Sequence, residues 1–163
     1  MKYREPTAEF LGTFLLVTTV VGSGIMAEDL SQGNTATALL ANAIATGATL
    51  YVIITIFGPI SGAHFNPVVT LAMFLRRQIS SRKSIAYVVF QILGGICGTA
   101  VAHLMFELPV LQFSTTARTG LSQYFSEVFP SFWFFTNNIV WSETQNRSCS
   151  STCGIIHHSG ILV

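Results

Sequence analysis

Four apolar stretches, separated by short polar segments, account for most of the 163-residue chain. In chain order they are Thr7–Met26, Thr35–Phe57, Ser84–Phe106 and Tyr124–Val140. Each of the first three is long enough to cross a bilayer as a helix, which takes about 20 residues. The last stretch is a poorer span because it contains Pro130, Asn137 and Asn138. The pattern therefore predicts an all-α membrane protein with three spans and a partial fourth span.

The composition supports a membrane protein and excludes several other classes. Hydrophobic residues make up 50% of the chain and charged residues only 9%, whereas an ordinary soluble domain has about 25% charged residues. So few charges cannot cover a soluble surface, and a net charge of +1 is too small for binding to nucleic-acid phosphates. The lipid bilayer is therefore the expected partner, and neither nucleic acid nor a cofactor is expected.

The basic residues indicate how the spans are oriented. Lys2 and Arg4 precede the first span, and further basic residues lie in the segment 76–83 between the second and third spans. Because the positive-inside rule assigns such segments to the cytoplasm, we expect a multi-pass cell-membrane protein with a cytoplasmic N-terminus. A signal peptide is the competing interpretation of the basic start. Against it, the first stretch is long enough to span, holds Glu9 and is followed by equally apolar stretches.

Small residues in the third span predict close helix packing. Gly94 and Gly98 lie four positions apart, so they share one helix face and allow a neighbouring helix to approach. His103 lies in the same span without a motif around it, and is interpreted as a core or interface histidine.

The segment between the second and third spans contains a helix start signal. The Gly58-Pro59 pair is expected to end the second span. Asn66 is a favourable N-cap residue and Pro67 suits the first helical position, so a helix is predicted over Pro67–Arg77. Such a helix would be about 16 Å long, or half a bilayer. With its basic end at the cytoplasmic surface, its Asn66 end would lie near the midplane, as in a re-entrant half-helix.

Such a half-helix would create a binding environment for neutral molecules. Gly62, Ala63 and His64 are expected to run extended and to present carbonyl acceptors. The Asn66 side-chain oxygen would accept a hydrogen bond from the first helical turn, which leaves its NH2 group as a donor. The positive end of the helix dipole would oppose cations and protons. The alternative that the residues leave open is a cytoplasmic loop followed by an ordinary capped helix.

Three motifs resemble those of the aquaporin, or major intrinsic protein, family, in its bacterial type. Ser61–Thr70 resembles the first signature box, although Val68 stands where the family's Asn-Pro-Ala core has Ala. Ala8–Phe14 and Gln91–Gly98 resemble the first-span and third-span motifs. The resemblance implies an aquaporin-like helical bundle of six spans and two half-helices, with the first repeat present here. It also implies a homotetramer whose pores pass water or small neutral solutes, such as glycerol or a neutral metalloid acid. Separately, the spans contain no nucleophile–base pair or metal cluster, so no enzyme activity is expected.

The resemblance also assigns roles to individual residues. Asn66 would be the midplane donor of a box that includes Gly62, Ala63, His64, Pro67 and Val68. Glu9 would brace the re-entrant segment by accepting hydrogen bonds from its backbone, and His64 would lie near the cytoplasmic mouth of the pore. Thr46, 20 positions before Asn66, matches a filter position where water-selective members carry Phe, so a wider constriction is expected. The alternative for Thr46 is an ordinary helix-packing residue.

The resemblance is expected to end near Phe129. Ser126–Phe129 loosely repeats the motif around Glu9, but the Asn-Pro box of that repeat would fall near position 184, beyond Val163. We therefore expect residues 1–129 to be family-like and residues 130–163 to be an aberrant tail read in a shifted frame. A half-pore lacks part of its wall, so the alternative to a channel is a non-conducting fragment that acts only through other subunits, or not at all.

The polar tail contains cysteines and histidines that could suggest a metal site. They are Cys149, Cys153, His157 and His158. Their spacing matches no zinc-binding pattern, so no metal site is expected.

Overall fold

The computed structural model describes residues 3–111 of the chain. Within them the chain forms four α-helices: α1, Arg4–Leu30; α2, Thr35–Ser61; α3, Pro67–Leu75; and α4, Ser81–Met105. The helices α1, α2 and α4 are long and apolar enough to cross a bilayer, whereas α3 has only nine residues. The described part is therefore a helical membrane bundle with three spans and one short helix between the second and third, as the sequence predicts.

Polar side chains mark where three of these helices begin. Asn34 Oδ1 accepts a hydrogen bond from Thr37 N (3.2 Å) at the start of α2, and Ser80 Oγ accepts one from Lys83 N (3.4 Å) at the start of α4. Asn66 caps α3 in the same way. Each cap satisfies an N–H group that has no partner inside its own helix.

The second span continues past the Gly58-Pro59 pair, so the prediction that this pair ends the span is wrong. Pro59 lies inside α2, which ends at Ser61. Proline removes only its own N–H from the helical ladder, and the next N–H groups still find partners. Gly62 follows as the C-cap, with a left-handed φ of 92°, and donates its N–H to the Gly58 carbonyl (3.0 Å).

The short helix ends two residues before the predicted end. α3 stops at Leu75, and Arg77 takes a left-handed φ of 58°. Arg77 N donates to Phe74 O (2.9 Å), and Gln78 N donates to Met73 O (3.0 Å). This crossed pair of hydrogen bonds is a Schellman arrangement, which satisfies the last carbonyls and closes the helix.

α1 is the central helix of the described bundle, since it packs against both α2 and α4, while α3 packs on α4. A Cβ atom at Gly94 of α4 would lie 2.5 Å from Phe10 O, and one at Gly98 would lie 2.7 Å from Phe14 O. The α1 and α4 backbones therefore meet at a distance that no larger residue allows.

An ion pair joins α1 and α4 at the end where both helices begin. Lys83 Nζ lies 2.8 Å from Glu5 Oε2 and 5.3 Å from the centre of the Tyr87 ring. The two helices thus run in the same direction, as spans separated by one other span must.

Several predictions concern residues outside the described part of the chain. They are the partial fourth span Tyr124–Val140, the boundary after Phe129, the tail 130–163 and its residues Cys149, Cys153, His157 and His158. These stay predictions.

Candidate functional site: a capped half-helix and its buried brace

α3 begins at Asn66, whose side chain caps the helix. Asn66 Oδ1 accepts a hydrogen bond from Val68 N (2.8 Å). Pro67 occupies the first helical position, where no N–H donor is needed. Asn66 is half-buried, and Val68 is 51% exposed. Because the amide oxygen is used by the cap, the Asn66 NH2 group is left as a pair of donors.

The start of α3 lies at the depth of the middle of α4. In the first turns of α3, Thr70 Oγ1 accepts a hydrogen bond from Gln91 Nε2 (3.0 Å). Since α4 begins at Ser81, Gln91 lies about 15 Å along it. The short helix therefore begins well inside the bundle and not at the end of a span.

Glu9 of α1 is fully buried, and its two carboxyl oxygens collect four hydrogen bonds. Two come from backbone donors, His64 N (3.0 Å) and Phe65 N (2.7 Å). The other two come from the side chains Ser61 Oγ and Gln91 Nε2, the latter at 2.8 Å. A polar group at membrane depth is costly unless it is paired, and non-helical backbone has the same need. Glu9 meets both requirements at once and ties α1 to the segment between α2 and α3.

That segment is not extended, so the prediction of an extended run through Gly62, Ala63 and His64 is wrong at its first two positions. Gly62 has a φ of 92°, and Ala63 and Phe65 have left-handed values of 51° and 47°. A left-handed non-glycine residue costs on the order of 1–3 kcal/mol. The hydrogen bonds to Glu9 offset this cost, because the turned backbone is what directs two successive N–H groups at one carboxyl group.

The Phe65 ring is seated on α1 at Gly12. A Cβ atom at Gly12 would lie only 1.9 Å from ring carbon Cε1 of Phe65. The ring also meets Phe57 of α2 edge-on, with ring centres 6.1 Å apart. Gly12, in the Ala8–Phe14 motif, thus leaves the space that the Phe65 ring fills.

His64 lies against α3 and α4. The residue is 5% exposed, its Nδ1 lies 3.1 Å from Thr70 Oγ1, and its ring meets the Tyr87 ring edge-to-face, with ring centres 5.3 Å apart. The predicted role of His64 at a pore mouth stays a prediction.

Thr46 lies apart from this cluster, on α2. It is 15 residues before Ser61, or about 22 Å along the helix. The residue is half-buried, and its hydroxyl donates to Asn42 Oδ1 (3.2 Å). Its predicted role in a filter stays a prediction.

Sequence reasoning missed the side chains that surround the Glu9 carboxyl group. The motifs include Gln91, Ser61 and Thr70 but predict no role for them. Tyr87 belongs to none of the motifs. Tyr87 donates its hydroxyl proton to Ser61 O (2.8 Å), and Gln91 bonds both Glu9 and Thr70. A signal was present, since an amide in an otherwise uncharged span needs a buried partner.

Residues 3–111 contain no group of three or more His, Cys, Asp or Glu side chains that could hold a metal ion. The site is built instead from one carboxyl group, two amides, hydroxyls and backbone N–H groups. The carboxyl group, the Gln91 amide and the hydroxyls bond one another or the backbone, whereas the Asn66 NH2 group is left as a donor.

A bundle of three spans with a capped half-helix beginning at mid-bundle defines a polytopic membrane protein with a re-entrant segment. The sequence profile described as "Major intrinsic protein" matches residues 1–158. The chain therefore belongs to the major intrinsic protein family, as its motifs predict. Members of this family are channels and not enzymes, which agrees with the expectation that the chain has no enzyme activity.

Three relatives illustrate the similarity. An aquaglyceroporin, AqpS, of Rhizobium meliloti is 56% identical over 124 residues, which cover 76% of this chain and 53% of the relative. A probable aquaporin, PIP2-8, of Arabidopsis thaliana is 33% identical over 75% of this chain and 44% of the relative. Glycerol uptake facilitator protein-like 6 of Lactiplantibacillus plantarum is 40% identical over 60% of this chain and 41% of the relative. The chain thus spans about half the length of these curated relatives.

Proposed function

We propose that this chain supplies the first repeat of a membrane channel for water and small neutral solutes such as glycerol. The observation that carries the proposal is the cap of α3. Asn66 Oδ1 is held by Val68 N at 2.8 Å, so the two amide N–H donors of Asn66 remain for a passing molecule. The names of the relatives, which include an aquaglyceroporin and a glycerol uptake facilitator protein, support the same solute class.

The electrostatics of the half-helix favour uncharged solutes. The N-terminus of α3 carries a partial positive charge of about half a unit, which repels cations. Glu9, the buried acid near it, has its oxygens occupied by four donors. A cation would therefore meet a positive dipole and amide donors without a free carboxyl group to replace its water shell.

The remaining parts of the proposal concern placement and assembly. We place the N-terminus and the basic segment 76–83 on the cytoplasmic side of the cell membrane, following the positive-inside rule. Residues 1–129 are taken as the family-like part, and four subunits are expected to associate once the bundle is complete. The exposed apolar side chains of α2, among them Leu40, Ile44 and Tyr51, suit contact with lipid or a neighbouring subunit.

The experiment compares solute flux through two matched aspartate variants. Purified full-length chain is reconstituted into proteoliposomes, and shrinking and re-swelling are followed in water and glycerol gradients. Asn66→Asp keeps the capping oxygen and removes the amide donors, since Asp caps helices as well as Asn. Asn34→Asp makes the same change at the exposed cap of α2, where Asn34 accepts from Thr37 N.

We expect flux above empty vesicles for the wild type and for Asn34→Asp, and a large loss for Asn66→Asp. Equal flux in both variants would exclude Asn66 from the pathway. Wild-type vesicles that behave like empty ones would favour the alternative, a chain that conducts only in association with other subunits or not at all.

A further inference from the structure

A row of polar side chains lies between α1 and α2, away from the half-helix. Thr49 Oγ1 donates to Thr19 Oγ1 (3.3 Å), and Ser23 Oγ lies 3.0 Å from Asn42 Oδ1. Thr46 Oγ1 donates to the same Asn42 oxygen (3.2 Å). All five side chains are half-buried. Asn42 thus links Ser23 of the first span to Thr46 of the second.

Four threonines of the described helices donate a hydrogen bond to the residue four positions earlier, and Thr46 differs from the other three in the atom that accepts it. Thr18, Thr55 and Thr99 all donate to the backbone carbonyl at that position, at 2.8, 2.7 and 3.1 Å. This backbone bond is the ordinary choice for a helical threonine. The Thr46 hydroxyl instead bonds the side chain of the residue four positions earlier, Asn42. The Asn42 amide therefore draws the hydroxyl away from the helix backbone.

The Asn42 side chain lies against α1. Ser23 Oγ contacts its oxygen and also lies 2.6 Å from Thr19 O, so the serine is anchored to its own helix. Asn42 Nδ2 lies over Gly24, 3.4 Å from the position that a Cβ atom would take there. Asn42 therefore lies in the contact between α1 and α2, with its side-chain oxygen beside both the Ser23 and the Thr46 hydroxyls.

We propose that Asn42 is a positioning residue that determines solute specificity through Thr46. The inference rests on the proposed function, together with the position in the narrow part of the pathway that the family resemblance predicts for Thr46. Asn42 holds the Thr46 hydroxyl off the helix backbone, where its oxygen can accept a hydrogen bond from a hydroxyl-bearing solute. Without Asn42 Oδ1, the hydroxyl turns to the backbone carbonyl of residue 42, as in the other threonines, and the wall of the constriction becomes less polar.

The first test follows the Thr46 side chain directly and needs no flux. Full-length chain with 13C-labelled threonine methyl groups is studied by NMR in detergent micelles, and Thr46→Ser identifies the Thr46 signal. The methyl 13C shift and the three-bond couplings that report χ1 are compared in Asn42→Leu, Asn42→Ala and Asn42→Asp. Thr55, already bonded to the Tyr51 carbonyl, is the internal control.

The expected result is a change of the Thr46 signal in Asn42→Leu and Asn42→Ala and none in Asn42→Asp, which retains the accepting oxygen. The Thr55 signal should stay constant in all three variants. An unchanged Thr46 signal in the Leu and Ala variants would overturn the proposal. So would an equal change in the Asp variant, because the side-chain oxygen would then not be what holds Thr46.

The second test measures specificity in proteoliposomes. Asn42→Ala should lower the ratio of glycerol to water flux about fivefold, the effect of losing one typical hydrogen bond. If the flux ratio stays unchanged while the Thr46 signal changes, Asn42 positions Thr46 without setting specificity. That result would overturn the claim that Asn42 determines solute specificity. Absence of flux in the wild type would count against the proposed function alone, since the NMR comparison still decides whether Asn42 positions Thr46.

Discussion

At the scale of single residues, one carboxyl group determines the conformation of the segment that enters the bundle. Glu9→Leu would leave His64 N and Phe65 N buried without their acceptor. Each unsatisfied buried N–H costs about 1–3 kcal/mol, so we expect the free energy of unfolding to fall by about 2–6 kcal/mol. Denaturant-induced unfolding of the purified chain in detergent, followed by circular dichroism, measures this change.

Glu5 provides the matched control on the same helix. It pairs with Lys83 at 2.8 Å, but the two side chains are 45% and 35% exposed. Surface ion pairs contribute at most about 1 kcal/mol, so Glu5→Gln should change stability by no more than that. If Glu9→Leu proved as mild as Glu5→Gln, Glu9 would not be a structural brace.

At the scale of helices, the α1–α4 contact depends on the absence of side chains at Gly94 and Gly98. Gly95, between them, provides a control. A methyl group at Gly94 would lie 2.5 Å from Phe10 O, whereas one at Gly95 would lie 3.9 Å from Val17 Cγ2. Gly94→Ala should therefore push the helices apart and lower stability by about 1–3 kcal/mol. Gly95→Ala should be neutral or stabilising by up to about 1 kcal/mol, because alanine is the better helix former. Thermal unfolding of both variants in the same detergent tests the contrast, and equal destabilisation would contradict it.

The sequence predicts the features that depend on neighbouring residues, and it does not predict those that depend on distant ones. The start of α3 is encoded locally, because Asn66 and Pro67 suffice to begin a helix wherever the chain places them. The small residues Gly94 and Gly98 also predict a closely packed neighbouring helix, but they do not identify that helix. The course of α2 through Pro59 and the left-handed turn at Ala63 could not be predicted. The helix passes Pro59 because the neighbouring backbone hydrogen bonds still form, and the turn at Ala63 depends on Glu9, more than 50 positions away.

At the scale of the whole molecule, the distribution of charge predicts the orientation in the membrane. The turn between α1 and α2 contains Gln32 and no basic residue, whereas in the segment between α3 and α4 Gln78 follows Arg76 and Arg77. In a variant without native cysteines, Gln32→Cys should react with a membrane-impermeant maleimide added to intact cells. Gln78→Cys should react only after the cells are permeabilised. The reverse pattern would show that the N-terminus lies outside.

At the same scale, the family resemblance predicts that Thr46 lines the narrow part of the pathway, and this predicted position bears on the width of the pathway. A threonine at this position leaves room that a phenylalanine would fill, so a solute larger than water should pass more readily than through an aromatic constriction. Thr46→Phe should therefore suppress glycerol flux through the conducting protein and spare water flux, as measured in parallel on the same proteoliposomes. Thr55→Phe, at an exposed position on the same helix, is the control and should change neither flux. If Thr46→Phe also left both fluxes unchanged, the constriction would lie elsewhere, and the preference for larger solutes would need another cause than the small side chain at position 46.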